Sequence, residues 1–387
     1  MKKRFLFLVV VLSIVFLISG CLNVGIIPTS GGSKSIQWTV MVFLNGDNDL
    51  EQAAWADLAS MESVGSSNRV KVVVQFDQAR GGTARYLVNQ GGSTLLENLG
   101  EANMGDGNTL VDFVRFCAEN YPAEHYALII WNHGYGFKGN SKDISFDETS
   151  GGDALTIPEL ASALRQAKIY TGGKIDLLGM DACLMALVEV AYELRDGAQL
   201  LVASQESEPL EGWNYPVFLQ ALNSNPSMSA SNLARSIVDS YISSYWVQSI
   251  TLSAVDLTKV SALAQAVDEL ASAILSDSLT PPFIYLALGD SAQYFDDYDY
   301  VDLAHLALLL SGDPRIGNSI VKSAASQVYN LVQDTVLYSR TSGSGVSNAY
   351  GLSIYFPYKQ YLSKYESLAF ARSTQWDECL RFLMSYR

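Results

Sequence analysis

Short apolar runs alternate with helical patterns along most of this chain, and that alternation restricts it to an α/β architecture. Residues 38–44, 70–76, 127–131, 175–180, 199–204 and 250–255 read as buried strands. Helical patterns lie near 50–61, 109–119, 157–168, 184–195 and 258–275. Residues 84–99 read as a hairpin turning at Gly91-Gly92. Beyond 275 the tail is mainly helical, broken by a strand at 351–357. Repeated βα units predict a mostly parallel sheet flanked by helices on both faces, with a mainly helical C-terminal extension.

In such sheets ligands bind at the carboxyl ends of the strands. The 127–131 run is followed by Asn132-His133-Gly134, and the 175–180 run by Asp181-Ala182-Cys183. Adjacent strands ending this way aim a base and a nucleophile into one crevice, the minimum apparatus of a cysteine hydrolase. His125 lies at the opposite, amino end of its strand, and His305 on an apolar helical face, so both read as structural.

The N-terminus reads as a targeting segment, with Met1-Lys2-Lys3-Arg4 before an apolar stretch at 5–18. A bilayer span needs roughly 20 residues, and this stretch is shorter. It meets Ile18-Ser19-Gly20-Cys21, which resembles the lipobox of bacterial lipoproteins. Residues 1–20 are then a lipoprotein signal peptide, Cys21 the acylated first residue, and 21–36 a tether. Two or more acyl chains anchor stably where one does not, so the expected location is the extracytoplasmic face of the cell membrane. The net charge of −15 comes from 25 basic and 40 acidic residues, which argues against a nucleic-acid partner.

The other three of the four cysteines, Cys117, Cys183 and Cys379, show no paired spacing. Neither a disulfide framework nor a zinc site is signalled. Cys117 and Cys379 lie in helical patterns and read as small core residues.

Several segments together resemble the clostripain family of cysteine peptidases, which has a caspase-like fold. They are 42–51 (VFLNGDNDLE), Trp131-Asn132-His133-Gly134, Asp181-Ala182-Cys183-Leu184-Met185, Glu211-Gly212-Trp213-Asn214-Tyr215, Tyr300-Val301-Asp302-Leu303 and 351–357. The resemblance covers roughly 36–387. It implies a catalytic core at 37–257, completed by the helical region 258–387. It also implies protein or peptide substrates, His133 as general base and Cys183 as nucleophile. The departure is Tyr135-Gly136-Phe137, where relatives often carry a glycine-rich stretch ending in Trp.

The mechanism expected from these residues is a dyad, with no third member evident. Cys183 opens the 184–195 helix, whose dipole would favour the thiolate. The resemblance places the backbone N–H groups of Gly134 and Cys183 in an oxyanion hole. It also places Asp181 in the pocket for the residue before the scissile bond and Glu211 at the pocket floor, with Glu206 and Glu208 as rivals. Two carboxylates there favour Arg or Lys. The polar loop after His133 carries Lys142 and Lys138, candidate self-cleavage sites in the order named.

No cofactor is required by this chemistry, and no metal site is assigned. Asp47-Asn48-Asp49-Leu50-Glu51 lacks the glycine and the final glutamate of a calcium loop and reads as a capped strand-to-helix turn. Asp296, Asp297, Asp299 and Asp302 form a second acidic cluster, so calcium stays open. Two rival readings remain at this stage. One is a catalytically silent surface-binding protein on the same fold, and the other is a metal-dependent hydrolase.

Overall fold

The computed structural model describes residues 35–386, apart from 140–142, 174 and 290. Its strands are β1 (Ile36–Gly46), β2 (Val70–Gln78), β3 (Thr83–Asn89), β4 (Gly92–Gly100), β5 (Ala123–Trp131), β6 (Ile144–Asp147), β7 (Asp153–Leu155), β8 (Ile175–Asp181), β9 (Ala198–Ala203), β10 (Ile250–Asp256), β11 (Tyr300–Asp302), β12 (Val336–Ser342) and β13 (Ser353–Tyr355). Nine of them form one sheet in the order β12-β10-β9-β8-β5-β1-β2-β3-β4. The central strands β9-β8-β5-β1-β2 are all parallel. An antiparallel pair extends each edge. The mostly parallel centre is the one read from the uniformly apolar runs.

Successive side chains of the central strands enter two different cores, as the pleat requires. Met41, Phe43, Val73, Leu128, Ile130, Leu178 and Met180 face one core. Val40, Val42, Leu44, Val72, Val74, Ile129 and Leu177 face the other. The helices in chain order are α1 (Glu51–Glu62), α2 (Gly107–Asn120), α3 (Ile157–Thr171), α4 (Val188–Leu194), α5 (Tyr215–Ser224), α6 (Ala230–Ser244) and α7 (Val260–Leu275), then α8 (Pro281–Leu288), α9 (Leu303–Gly312), α10 (Ser319–Thr335), α11 (Ala369–Ser373) and α12 (Trp376–Met384). The first core takes α2, α3, α4, α7, α9 and α10, and the second takes α1, α5 and α6. Each layer is a large apolar contact, and truncating one Leu within it costs about 2–5 kcal/mol.

Helix α3 shows how local sequence sets these elements. Thr156 accepts from the Glu159 N–H, Glu159 reaches back to the Thr156 N–H, and Pro158 stands in the first turn. Gly172 closes the helix at φ 71.

The sequence reading needs three corrections here. Strand β12 lies within the tail expected to be helical, and it supplies one edge of the main sheet. All its residues are half-buried, so no alternation marks it. Helices α5 and α6 occupy 215–244, where no element was assigned. The helix expected at 184–195 is only α4, beginning at Val188. Residues 182–187 form a strap instead: Leu184 N–H donates to Glu206 O and Ala186 N–H to Ser204 O. Leu184 itself sits at φ 61, which a helix cannot contain.

Candidate active site

Strands β5 and β8 pair with Trp131 opposite Asp181. His133 and Cys183 are each the second residue beyond that pair, so both stand at the same carboxyl end of the sheet. Gly134 packs against the turn that carries Cys183. A Cβ there would stand 2.4 Å from the Cys183 carbonyl oxygen, so only glycine lets the loops approach this closely. Asn132 ties the corner down. Its N–H donates to the Asp181 carbonyl at 3.3 Å and its side-chain amide to the Asn45 carbonyl at 2.8 Å. Its own side-chain oxygen accepts from the Phe146 N–H at 2.9 Å.

His133 Nε2 lies 2.9 Å from Asp49 Oδ1, in the loop after β1. Cys183 Sγ accepts from the Glu208 N–H at 3.2 Å. Burial pushes the Cys183 thiol up, opposed by that hydrogen bond. The helix dipole expected to favour the thiolate is not in place, because α4 starts beyond the strap. Among the described residues, the N–H groups of Gly134 and Cys183 have no hydrogen-bond acceptor.

This corner borders two hollows. The first, of about 250 Å³, is lined by Leu50, Trp131, Asp181, Glu208, Leu210 and Gly212 beside the His and Cys. The second, of about 460 Å³, runs past Tyr135 and Leu184 to Ser207, Asp296 and Asp297. Buried Asp181 accepts from the Tyr215 hydroxyl at 2.9 Å, and burial pushes its carboxyl up to about 6. The neighbouring Glu208 carboxyl is raised well above the usual range, by burial first and then by Asp181. Its Oε2 has no hydrogen-bond partner. Behind Trp131, Asp57 accepts from the indole N–H at 2.7 Å; burial and then Asp181 push it up to about 8. These three carboxyl groups crowd together, and among the described residues none of them is ion-paired to a basic side chain.

The sequence model of the clostripain family (peptidase C11) matches residues 42–382. The chain belongs to the clostripain family. Clostripain of Hathewaya histolytica is 24% identical over 417 residues, covering 87% of this chain and 78% of that protein. A secreted C11 cysteine protease from Bacteroides thetaiotaomicron, solved with an irreversible peptide inhibitor, matches with a TM-score of 0.70 at 23% identity, over 88% of this chain and 99% of that one. An inactive zymogen C11 protease from Parabacteroides distasonis matches with a TM-score of 0.68 at 19% identity, over 87% and 97%. Membership makes this protein a cysteine endopeptidase acting on protein or peptide substrates.

Within this clostripain-family fold, Asp49 is the residue at the corner that the sequence reading missed, and Glu208, named there as a rival, takes the place expected of Glu211. Asp49 meets His133, and the signal for it was an acid in the loop after the strand beside β5. Glu208 lines the first hollow, whereas Glu211, expected at the floor, is exposed and lines neither hollow. Gly212 turns the chain at φ 55, with its Cα against Asp181, and leaves Glu211 outside the turn. Lys138 is not a free loop residue: its ammonium donates to Asp297 at 2.8 Å and to Asp299 at 2.6 Å. Those bonds, with Asp302 capping α9, also account for most of the second acidic cluster. No side chain caps α1; Asn48 Oδ1 instead accepts the Leu50 N–H at 2.9 Å.

Cys117 and Cys379 are buried and unpaired. His125 pairs with Asp176 at 3.0 Å, and His305 accepts from the Gln293 N–H at 3.0 Å, both away from the corner. Cys21 and Lys142 lie outside the described residues.

Proposed function

We propose that His133 and Cys183 form the catalytic dyad of this endopeptidase. The hollow bordered by Asp181 and Glu208 takes the Arg or Lys side chain before the scissile bond. The supporting observation is that one register-matched corner brings together a base, a thiol and an acidic hollow. The raised thiol holds its proton until attack, so a proton acceptor is needed. Asp49 accepting from Nε2–H fixes the tautomer and leaves Nδ1 as that acceptor. Sulfur bonds to the substrate carbonyl carbon as its proton passes to His133. The N–H groups of Gly134 and Cys183 face the oxyanion, a donor being worth about 3 kcal/mol. His133 then protonates the leaving amine, and water, deprotonated by His133, hydrolyses the thioester.

In the free enzyme the crowded carboxyl groups share protons. An entering guanidinium or ammonium replaces those protons and pairs with carboxylates out of water. Fluorogenic peptides differing only in the residue before the scissile bond are expected to be cut after Arg and Lys. Equal turnover after Ala or Asp would contradict the pocket assignment.

Two further parts of the reading concern the flanking segments. Cys21 is the lipidation site, which would place the enzyme on the extracytoplasmic membrane face. Labelled fatty acid is expected to enter the wild type and not Cys21→Ser; no label in the wild type removes the anchor. The second part is self-cleavage after Lys142, by an enzyme that meets its own loop at high effective concentration. Lys138 is the weaker site, because a cut there must first break its two ion pairs. N-terminal sequencing of active enzyme should give a second chain beginning at Asp143. A single intact chain, as active as a Lys138→Ala/Lys142→Ala variant, would show that activation needs no cut.

A further inference from the structure

We infer that the second hollow receives the residue after the scissile bond, and that Asp296, with the rings of Tyr135 and Tyr298, selects Lys or Arg there. The preferred substrates are then polypeptides cut between two basic residues. The inference deepens the dyad and pocket reading above and rests on it. His133 and Cys183 are the residues that line both hollows. The first hollow is walled by Asp181 and Ala182, which precede the cysteine, and the second by Gly134, Tyr135 and Leu184, which follow the dyad residues. A peptide bond attacked by the sulfur lies on the divide between them. With the side chain before the bond in the first hollow, the leaving side of the chain has the second, of about 460 Å³. Lys138 pairs with Asp297 and Asp299, and buried Asp302 caps α9. Among the described residues no basic side chain is ion-paired with Asp296. Asp296, Tyr135 and Tyr298 are all exposed to the hollow's mouth and line it. A guanidinium or ammonium there can pair with the carboxylate and lie against the rings, which an apolar side chain cannot do.

The wall carrying Asp296 is tied to the dyad before substrate arrives. Glu206 Oε1 accepts from the N–H groups of Ser207 at 2.8 Å and Asp296 at 2.9 Å, and the Ser207 hydroxyl donates to Asp296 Oδ2 at 2.8 Å. Next to Ser207, the Glu208 N–H reaches Cys183 Sγ. On the other side the Tyr300 hydroxyl donates to the Tyr135 carbonyl at 2.9 Å, and Lys138 holds Asp297. A subsite fixed in this way spends little of its binding on ordering. The charges around the sulfur favour the same substrate. Burial raises the Cys183 thiol most, and the charges of Asp181 and Asp296 add to it, one from each hollow. A basic residue on each side of the bond offsets both charges and eases loss of the thiol proton. An acidic residue after the bond instead meets Asp296 with like charge. The same preference makes Lys142–Asp143 a slow bond, cut only through the high effective concentration of the protein's own loop.

The test uses the full chain and internally quenched peptides with Arg before the bond and Lys, Ala or Asp after it. In low salt the ratio of kcat/KM for Lys over Ala is expected to be at least ~5, with Asp poorer than Ala. Salt should shrink the ratio, because it screens an exposed carboxylate. Asp296→Asn, which keeps an acceptor for Ser207, should bring the ratio to ~2 or below, the share left to the rings. Asp296→Lys should reverse the order, so that the Asp peptide is cut faster than the Lys peptide. Each ratio compares two peptides on one protein, so a smaller fraction of active enzyme cancels. A peptide ending in Arg-coumarin places no residue after the bond and tests the dyad and first hollow alone on the wild type. Turnover of that peptide with equal rates for Lys, Ala and Asp would overturn the subsite and spare the dyad. No turnover of it would overturn the dyad reading and this inference with it. A Lys/Ala ratio unmoved in Asp296→Asn would remove Asp296 from the subsite. A basic preference two residues before the bond, lost in Asp296→Asn, would overturn the placement on the leaving side.

Discussion

Cys183→Ala and His133→Ala are each expected to lower peptidase turnover at least ~10³-fold while leaving the thermal midpoint nearly unchanged. The loss should be large because attack needs both the sulfur and an acceptor for its proton. It should not be larger in the double variant, since either partner alone cannot complete the step. Stability should change little, because neither residue is a core anchor. Cys183 Sγ accepts from the Glu208 N–H at 3.2 Å, and the His133 partner Asp49 has a side chain 80% exposed. Exposed pairs of this kind contribute about 0–1 kcal/mol. Asp49→Asn should cost less, lowering kcat about 10-fold with KM nearly unchanged, and an unchanged kcat would remove Asp49 from the positioning role.

Asp181→Asn is expected to cut kcat/KM for Arg and Lys peptides by about 10²-fold, a loss of roughly 2.7 kcal/mol. Cleavage after neutral residues should fall much less. Asp181 is buried and lines the first hollow, so a cation bound there loses its partner where water cannot replace it. The amide still accepts from Tyr215, which keeps the strand end in place. The pH dependence follows from the raised carboxyl. In the free enzyme Asp181 holds its proton below about 6, so kcat/KM for Arg peptides should climb as pH rises through that point. The climb should flatten in the Asn variant. An equal loss on cationic and neutral peptides would mean that Asp181 serves the fold or the nucleophile.

What could be read from sequence follows from how local each signal is. Fully buried parallel strands are uniform apolar runs, so β1, β2, β5, β8 and β9 stood out, and with them the residues just past their ends. Position along two adjacent strands was enough to bring His133 and Cys183 together. The edge strand β12 carries no such mark, since it is half-buried throughout. The apolar run from Leu184 to Val188 continues into α4 without a break, yet a single backbone angle at Leu184 makes it a strap. That angle removes the dipole expected at the thiol. The exchange of Glu211 for Glu208 likewise depends on the turn at Gly212, which packs against Asp181 from another strand.

The most direct measurement is to map where a thiol-reactive peptide ending in Arg attaches. The adduct is expected on Cys183 alone, forming far faster than with the same peptide ending in Asp, and lost in His133→Ala. Cys117 and Cys379 are buried and should stay unlabelled in the folded protein. An adduct on either of them, or equal rates for Arg and Asp peptides, would contradict a Cys183 nucleophile served by His133 beside a pocket for basic side chains.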